Sequence, residues 1–568
     1  MTDGPLFFHI SPDNCGEGRL ARLFRRNGHP AVCHDKGRLA EDVLFARATG
    51  TDPLTPWPGT VLFAGLYRHT PHWRPPLEAW RQFAWLADRF PQARFILTTR
   101  RPEDWILDRL TRDGAAAARC HAHHRGCATA DLPDLWEADW HAHMAAVEAF
   151  FGTDPRLFRV DLDRDTPADL AARLDPLLPM PDAGWQPGWF PPAEGAPPDL
   201  ARLLAPPPAE PVDPAYVEDV AAFCLRGLEP GAPQDGGLSE YFSIWNGAAF
   251  VTNRHGAPRR IAVRDGIALS APGRHFKLIR AEGVINDALR LDRPLPLRID
   301  MEDSRWFGSP QGEALSAPVL CHNRRAGARN AVLWPLPDQH AIGLPGFDPD
   351  APPDPIPWED KLDQVVWRGM ISGSGMGEGV RTGPASHTIL RDLAQAGDDP
   401  ARRQAAWDRL CNTNRLAFVR RWWEHPDFDL GVVMAWGYRD FARDPWLAPY
   451  CVPRQGRSFF HGFRYQLCLT GYDHGSNFIG AIDSQSVLLA EEDGWEVFYS
   501  GRFRPWKHYI PLERYGTDIA EKLAWARENP NECKAMAAAA RTEAAMLRKP
   551  ATRRAIMARI LDGLAAAG

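Results

Sequence analysis

Residues 464–489 read RYQLCLTGYDHGSNFIGAIDSQSVLL, and their pattern indicates how the C-terminal part of the chain folds. The run over 465–470 predicts a strand, and the polar, glycine-containing stretch that follows it up to 477 predicts a turn. A helical segment follows up to residue 486, and residues 487–489 begin a second apolar strand. A strand, a turn, a helix and another strand in this order are typical of a parallel α/β sheet.

Strands alternate with helices in the rest of the chain as well, and a proline-rich segment separates two such regions. The segment at 191–214 contains PPAEGAPPDL and APPPAEPVDP, a composition that predicts an extended linker. It separates an α/β domain at 1–190 from a longer α/β region at 215–568, which has room for two lobes around a cleft. We therefore expect two or three domains in this chain of 568 residues.

The composition excludes several classes of protein. The chain has 66 Lys and Arg residues against 72 Asp and Glu residues, a net charge of −6, which argues against a protein that coats nucleic acid. No apolar run reaches the roughly 18 residues needed to span a bilayer. The stretch MTDGPLFFHI lacks the features of a signal peptide, and the 10 cysteines include no CxxC pair. We therefore expect a cytoplasmic protein with reduced thiols.

The first domain begins with a strand, a turn and a helix. Leu6–Ile10 is apolar, residues 11–18 contain two glycines, and residues 19–27 place apolar side chains on one helical face. A turn of this kind directs free backbone N–H groups toward an anion at the start of the helix. The pattern therefore predicts a generic anion-binding loop.

Together with LTTRRPEDWILD at 97–108, this order resembles the sulfotransferase family. In that family a turn lysine and two threonines bind the 5′-phosphosulfate of the donor, and an arginine and a later serine bind the 3′-phosphate. Here the lysine position is Asp13 or Asn14, no threonine pair follows, and Arg100 is opposed by Asp108 at the serine position. Carboxylates thus stand where two phosphates would bind. The resemblance implies an inactive, sulfotransferase-like scaffold domain; an active sulfotransferase and a domain for another ligand remain alternatives.

The segment Cys120–Cys127 carries two cysteines and three histidines, side chains that can bind a metal. Their spacing matches no standard zinc module. We therefore predict a loop or a helix end without metal.

Residues 364–381 read QVVWRGMISGSGMGEGVR, an apolar strand that runs into a loop of glycine and serine. Such a loop lets backbone N–H groups approach a diphosphate, and the flanking Arg368 and Arg381 can neutralise its charge. A flexible connector is an equally good interpretation of this stretch taken alone.

Several short motifs follow one another in the second half of the chain: WRG at 367–369, YQLCLTG at 465–471, SV at 486–487, PWKHYIP at 505–511 and DIAEKLAWAREN at 518–529. This order resembles glycosyltransferase family 90, the CAP10-like group that includes protein O-glucosyltransferases. The resemblance covers residues 239–548. It implies an inverting, metal-independent enzyme of the two-lobed GT-B architecture, with an acceptor-side lobe at 215–365 and a nucleotide-sugar-binding lobe with C-terminal helices at 366–568.

An inverting transfer needs one base to take a proton from the acceptor hydroxyl. Members of the family place an aspartate just after a strand of the first lobe. The stretch PLRIDMEDS at 296–304 occupies that place here. Asp303 aligns best as the base, Glu302 and Asp300 are rivals, and a solvated acidic loop without a catalytic role is the alternative.

The family resemblance also implies the residues that meet the nucleotide diphosphate, namely Arg368, Gly369, Ser372, Gly373 and Arg381 of the first loop and Gly475, Ser476 and Asn477 of the later turn. Eukaryotic members commonly carry an arginine at the position of Asn477. This chain therefore lacks one cation for the departing diphosphate.

The resemblance implies transfer of a sugar of the glucose or xylose type from a UDP-sugar to a hydroxyl of an envelope glycan or a similar acceptor, lipid-linked acceptors included. It implies no metal and no cofactor besides the UDP-sugar donor, no nucleic-acid partner, and at most peripheral contact with the inner face of a membrane. The alternative is a non-catalytic glycan-binding or assembly protein built from two decayed enzyme folds.

Overall fold

The structure is a computed structural model that describes residues 5–69, 73–182, 189, 199–205, 211–229, 238–248, 250–252, 259–273, 275–293, 295–340, 352–379 and 383–567. These residues form two compact units. The first unit comprises the described residues of 1–209 and 243–297, and the second comprises those of 210–242, 298–340 and 344–568.

Strands and helices alternate along the chain. The strands are β1 (Phe7–His9), β2 (Ala31–Cys33), β3 (Leu62–Ala64), β4 (Tyr67–Arg68), β5 (Leu77–Glu78), β6 (Arg94–Thr99), β7 (Leu157–Asp161), β8 (Ser243–Trp245), β9 (Phe250–Thr252), β10 (Arg259–Arg264), β11 (Ile267–Leu269), β12 (Leu297–Ile299), β13 (Val319–Cys321), β14 (Arg324–Arg325), β15 (Ala331–Leu333), β16 (Leu362–Gly369), β17 (Phe428–Val432), β18 (Phe463–Cys468), β19 (Val487–Glu491), β20 (Trp495–Glu496) and β21 (Ile510–Leu512).

The helices are α1 (Glu17–Arg26), α2 (Arg38–Thr49), α3 (Phe83–Arg89), α4 (Pro102–Arg125), α5 (Leu132–Phe151), α6 (Pro167–Leu174), α7 (Leu200–Leu203), α8 (Pro214–Leu225), α9 (Phe276–Arg290), α10 (Pro337–His340), α11 (Ser386–Gln395), α12 (Pro400–Cys411), α13 (Asn414–Trp422), α14 (Arg457–Phe460), α15 (Phe478–Ile482), α16 (Ile519–Glu528), α17 (Pro530–Arg548) and α18 (Pro550–Ala567). These elements confirm the predicted α/β class. The sulfotransferase-like and GT-B architectures stay predictions.

The first unit is built on a parallel sheet with the strand order β2-β3-β1-β6-β7. The neighbouring side chains of Phe7 and Phe8 point to opposite faces of the sheet, and both are fully buried. Phe7 packs in a cluster with Trp105 of α4, and Phe8 packs in another with Val43 of α2. Helices therefore cover both faces of this sheet, as is usual for parallel strands.

Residues 243–297 add an antiparallel arrangement of β8 to β11 and the helix α9 to the first unit. The fully buried carboxylate of Glu282 in α9 accepts hydrogen bonds from the backbone N–H of Ser270 at 2.9 Å and from Nη2 of Arg74 at 3.2 Å. This buried ion pair ties α9 to the N-terminal part of the unit. The two units therefore divide the chain differently from the predicted lobe at 215–365, whose boundaries stay a prediction.

The second unit contains two sets of parallel strands. Strands β12, β13 and β15 pair in parallel, and a larger parallel sheet has the order β17-β16-β18-β19-β21. Trp367, Tyr465 and Leu489 lie in the hydrophobic core around the larger sheet. Because the carboxyl ends of parallel strands meet at one edge, the loops after β16, β18 and β19 gather at that edge.

The predicted linker at 191–214 is described only in part. Helix α7 lies inside it and α8 begins at its end, while 191–198 and 206–210 lie outside the described residues. Within the described parts of the chain, the helices lack the combination of length and apolarity that crossing a bilayer requires.

Candidate active site

Two glycine-containing loops meet at the carboxyl edge of the larger sheet in the second unit. Gly373, in the loop after β16, has a φ of +101°, and a Cβ atom there would lie 2.9 Å from the carbonyl oxygen of Gly471. A Cβ atom on Gly471, in the turn after β18, would lie 2.6 Å from Oγ of Ser372. This contact therefore requires glycine at both positions. The structure thus brings together the two stretches that the sequence predicts to bind a nucleotide.

Arg415 of α13 joins the same two loops, and the sequence analysis did not single it out. Its guanidinium donates hydrogen bonds to the carbonyl oxygens of Met370 at 3.2 Å, Leu469 at 2.8 Å and Thr470 at 3.3 Å. Burial lowers the pKa of Arg415 from its usual value. Arg415 is therefore a half-buried cation that holds the backbone of both loops in place.

The turn after β18 is also shaped by Gly475 and Asn477. A Cβ atom on Gly475 would lie 2.4 Å from Sγ of Cys468, so a side chain is excluded there. The amide Nδ2 of Asn477 donates a hydrogen bond to the carbonyl oxygen of Leu467 at 2.9 Å, while Ser476 is exposed. Helix α15, which follows the turn, has only 5 residues and is too short to form a strong helix-dipole site. The Asn477 amide thus holds the turn.

Arg368 lies at the end of β16 and extends toward the neighbouring strand β17. Its Nη2 donates a hydrogen bond to Oδ1 of Asp429 at 2.5 Å, and its Nη1 donates to the Asp429 carbonyl oxygen at 2.8 Å. A Cβ atom on Gly369 would lie 2.5 Å from the ring of Trp367, so glycine is required there as well. The charge of Arg368 is thus paired with a carboxylate, and its role toward a diphosphate stays a prediction. Arg381 lies outside the described residues.

Asp303 lies in the loop after β12, beside the turn after β18. Its Oδ1 is 3.6 Å from Nε2 of His322, and that Nε2 is 3.5 Å from Oδ2 of Asp473. The Ser304 backbone N–H donates a hydrogen bond to Oδ2 of Asp473 at 3.2 Å, and its hydroxyl donates to the carbonyl oxygen of Tyr472 at 2.5 Å. The candidate base and the predicted nucleotide-binding turn are therefore neighbours.

The three candidate bases differ in exposure and in hydrogen bonding. The carboxylate of Asp300 is fully buried and accepts hydrogen bonds from the backbone N–H groups of Ser239 at 2.9 Å and Glu302 at 3.0 Å and from Nη1 of Arg305 at 3.3 Å. The side chain of Asp303 is 38% exposed. Glu302 is half-buried like Asp303. Asp300 thus holds the loop, Asp303 and Glu302 are the carboxylates that a substrate can reach, and the assignment of the base to Asp303 stays a prediction.

His322 follows β13, and the sequence analysis missed it because it does not lie in any of the matched motifs. The Asn323 amide is oriented by the backbone N–H of Arg305, which donates to its Oδ1 at 2.9 Å. Its Nδ2 then donates to Nε2 of His322 at 2.8 Å. With Nε2 accepting from Asn323, the imidazole carries its proton on Nδ1, and Nε2 lies beside the two carboxylates without donating to them.

Asp303, His322 and Asp473 also form a group that could hold a metal ion. One ligand atom from each of the three lies within 4.8 Å of the others. Two carboxylates and one imidazole form a donor set that suits Mn²⁺ or Zn²⁺. The sequence predicts no metal for this protein, and that statement stays a prediction.

The first unit also has a loop at the start of a helix, but a carboxylate of the chain fills its anion position. The backbone N–H groups of Asn14 and Cys15 donate hydrogen bonds to the carboxylate of Glu17 at 3.2 Å and 3.0 Å. Nη1 of Arg100 donates to Oδ2 of Asp108 at 2.5 Å. In the sulfotransferase family the corresponding groups face the phosphates of the donor, whereas here they face carboxylates of the chain. The sulfotransferase-like and inactive nature of this domain stays a prediction.

Asp13, which stands at one of the two candidate lysine positions, belongs to a buried network in the first unit. It lies 2.6 Å from Nη2 of Arg109 and 3.0 Å from Nε2 of His69. Burial opposes its ionisation, but the charges of Arg109 and His69 hold the pKa of Asp13 well below its usual range. His121, from the segment Cys120–Cys127, lies 3.0 Å from the other ring nitrogen of His69. Among the described residues, this segment forms no group with metal-binding geometry.

Comparison with known proteins identifies part of the second unit. Residues 457–546 match the model of glycosyl transferase family 90. Protein O-glucosyltransferase 3 of Rattus norvegicus is 32% identical over 78 residues, which cover 14% of this chain and 15% of that protein. Uncharacterized protein 179R of Invertebrate iridescent virus 6 is 34% identical over 187 residues, which cover 31% of this chain and 15% of that protein. Uncharacterized protein 027R of Frog virus 3 is 26% identical over 196 residues, which cover 33% of this chain and 18% of that protein.

The aligned regions thus span less than a fifth of the length of each of these relatives. The family match includes the turn after β18 and the motif at 518–529, whereas Asp303 and the loop after β16 lie before it. The matched part is the C-terminal portion of the predicted range 239–548. The comparisons support a glycosyltransferase, and they place a family 90 glycosyltransferase domain at residues 457–546 of this chain.

Proposed function

We propose that the second unit transfers a sugar of the glucose or xylose type from a UDP-sugar to a hydroxyl group of a glycan acceptor, with inversion and without a metal ion. The observation that carries this proposal is the position of Asp303, whose carboxylate lies beside the turn of the family 90 domain. Asp303 follows β12 in one set of parallel strands, and the glycine-containing turn follows β18 in the other set. We assign the base of the transfer site to the first set and donor binding to the second.

In the proposed reaction, the acceptor oxygen attacks the anomeric carbon and the bond from that carbon to the diphosphate breaks. The hydroxyl proton passes to Asp303, and UDP departs with the bonding electron pair. The exposed side of Asp303 faces the acceptor in this scheme. His322 and Asp473 border the same carboxylate and orient it.

The departing diphosphate needs positive charge or N–H donors. The missing side chains of Gly373 and Gly471 let the two loops pack against each other, and that of Gly475 lets the turn pack on Cys468. Arg415 adds a cation next to Gly471: a Cβ atom on that glycine would lie 3.0 Å from its Nη2. We assign donor binding to these loops, together with Ser372 and Ser476. The acceptor class that we propose is an envelope glycan, lipid-linked forms included.

The alternative is a protein that binds glycans without catalysis. Two observations favour it: Arg368 is paired with Asp429, and the Asn477 amide is used within the turn. The first reduces the positive charge that is available to a diphosphate, and the second removes an N–H donor. Measurement of turnover separates the alternative from the proposal.

The test is a screen of UDP-sugars with release of UDP as the readout. We expect release with UDP-glucose or UDP-xylose and an acceptor glycan, and loss of that release in Asp303→Asn. Glu313→Gln is the matched control, because Glu313 is an exposed carboxylate in the same connection between β12 and β13. UDP binding without UDP release from any donor would overturn the proposed catalysis and favour the binding protein.

A further inference from the structure

A cavity of about 300 Å³ lies within the second unit beside the turn after β18. This volume is at the lower end of the range for small-molecule sites and suits a single sugar ring. Six aromatic side chains line the cavity: Phe223, Phe478, Trp495, Tyr499, Phe503 and Tyr509. Four carboxylates line it as well: Glu491, Glu492, Asp493 and Glu496.

The lining of this cavity includes no lysine and no arginine. Glu496 is neutralised from outside the lining by ion pairs with Arg226 and Arg324. The other three carboxylates have no ion pair within 4 Å among the described residues, and their partners are neutral. Glu491 accepts from the Thr470 backbone N–H at 2.9 Å, Glu492 from the Tyr509 hydroxyl at 2.5 Å, and Asp493 from the Trp495 backbone N–H at 2.9 Å.

Arg325 is a cation beside the cavity, and it forms a hydrogen bond with the backbone. Its Nη1 donates a hydrogen bond to the carbonyl oxygen of Asp493 at 2.5 Å, and its guanidinium lies beside the packed rings of Trp306 and Trp495, 5.0 Å and 4.9 Å from their centroids. Burial raises the pKa of Asp493 to about 7 in spite of this neighbour. The cavity is therefore a region of negative potential whose charge is not fully compensated.

The aromatic lining and one unpaired polar atom point to a ligand with both apolar faces and polar groups. The rings of Phe478, Tyr499 and Tyr509 pack together, with centroids 6.1 Å and 5.5 Å from that of Phe478. Aromatic rings bind the C–H faces of sugars and attract cations. Nε2 of His474, which also lines the cavity, is buried without a hydrogen-bond partner. A ring nitrogen in this position can pair with a hydroxyl group of a ligand.

We propose that this cavity binds a pyranose that carries a protonated amino group, as the acceptor-side sugar of the reaction. The ammonium group compensates the charge of Glu492 and its neighbours, the ring packs on the aromatic side chains, and a hydroxyl meets His474. Sugars that carry a carboxylate or a phosphate are excluded by repulsion. The role as an acceptor rests on the proposed function, whereas the binding itself does not.

The experiment compares glucosamine, glucose and glucuronate, which share one ring and differ in charge, by calorimetry with the full chain at a pH near 6.5. We expect glucosamine to bind about tenfold more tightly than glucose, and glucuronate not to bind, because charge pairing at a partly buried site is worth about this much. Glu492→Gln should remove most of the preference for glucosamine. Asp493→Asn should change the preference little, because the pKa of about 7 leaves the Asp493 carboxyl group largely protonated at this pH. The matched control Glu313→Gln should leave the preference unchanged.

Equal binding of the three sugars, tighter binding of glucuronate, or an unchanged preference in Glu492→Gln would overturn the proposal. Release of UDP is measured separately with a neutral acceptor. UDP release without a preference for glucosamine refutes the cavity proposal alone. Selective binding of glucosamine without any UDP release supports the cavity and refutes the proposed catalysis.

Discussion

The two units contain the same local device, a loop at the carboxyl end of a parallel strand, and they differ in what occupies it. In the first unit the loop N–H groups of Asn14 and Cys15 bind the carboxylate of Glu17. In the second unit the loops around Gly373 and Gly471 touch each other, and the side chain of the neighbouring Asp303 is 38% exposed. This difference indicates that such a loop can bind a ligand only where its backbone N–H donors are not already bound to a group of the chain.

The same contrast holds for the charged groups. Asp13 and Arg109 of the first unit are fully buried and form an ion pair, so that their charges stabilise the folded unit. Asp303 of the second unit is accessible to a substrate. Substitutions in both units test this contrast, and the largest effect is expected for Asp303→Asn.

Asp303→Asn should lower turnover by roughly 10² to 10⁴, the range for loss of a general base. The affinity for UDP should hardly change, because the base faces the acceptor. Turnover is measured by UDP release and affinity by calorimetry, with Glu313→Gln as the control. Near-normal turnover in Asp303→Asn, together with a loss of turnover in Glu302→Gln, would show that Glu302 is the base.

Asp13→Asn should destabilise the first unit by about 3 kcal/mol, since it removes one partner of a buried charge pair. Arg109 would keep Glu78 at 2.7 Å, which limits the loss. Hydrogen exchange of peptides that contain β1 measures the effect in this unit. Asp108→Asn is the control: the Asp108 side chain is 45% exposed, and such a pair contributes about 1 kcal/mol or less. Equal losses of stability in Asp13→Asn and Asp108→Asn would contradict the expectation that the buried pair contributes more than the exposed pair.

Glu17→Ala should free the N–H groups of Asn14 and Cys15 and create an anion site where none is available in the natural chain. Inorganic phosphate or sulfate should then stabilise the variant, by about 2.7 kcal/mol at one hundred times the dissociation constant. Thermal unfolding with increasing phosphate is the measurement, and Glu103→Ala in the first turn of α4 is the control. Equal stabilisation of the natural chain would show that Glu17 does not block the loop.

Acidification should weaken the first unit through His143. Burial lowers the pKa of this histidine to about 4, below the value near 6.5 of an unfolded chain. The stability that its neutral form contributes is therefore complete above pH about 6.5 and is lost as the pH falls toward 4, a change of about 3 kcal/mol. His143→Gln should flatten this dependence, and His141→Gln, at an exposed position of the same helix, should not.

Removal of metal ions by a chelator should have the smallest effect on the rate of UDP release. If transfer is metal-independent, treatment with EDTA leaves the rate of UDP release unchanged. Loss of activity with EDTA and recovery with Mn²⁺ would show instead that Asp303, His322 and Asp473 hold a cation, since these groups lie within 4.8 Å of one another. Metal analysis of the untreated protein distinguishes this outcome from inhibition by the chelator.

The periodicity of the sequence predicted much of the local structure. The strand predicted at 6–10 is β1, and the helix predicted at 19–27 is α1, which begins at Glu17. The strand and turn of 465–477 appear as β18 and the turn that follows it. These elements are local, because alternation of apolar residues and glycine at a turn act over a few positions.

The partners of the candidate site could not be read from the sequence. Asp303 meets His322 and Asp473, which lie in separate connections after β13 and β18, and Arg415 reaches the same loops from α13. None of these three residues belongs to a motif whose local spacing indicates its role. Their juxtaposition depends on the pairing of strands that are distant in the chain.

The sequence by itself determined the α/β class, the glycine positions of the loops and the family of the segment at 457–546, because these depend on short-range patterns. Only the tertiary structure decided that Glu17 fills the loop of the first unit, that Asp300 is buried while Asp303 is accessible, and that residues 243–297 group with the N-terminal unit. Burial and charge pairing arise from contacts between distant segments, and these contacts set which polar groups remain available to a ligand.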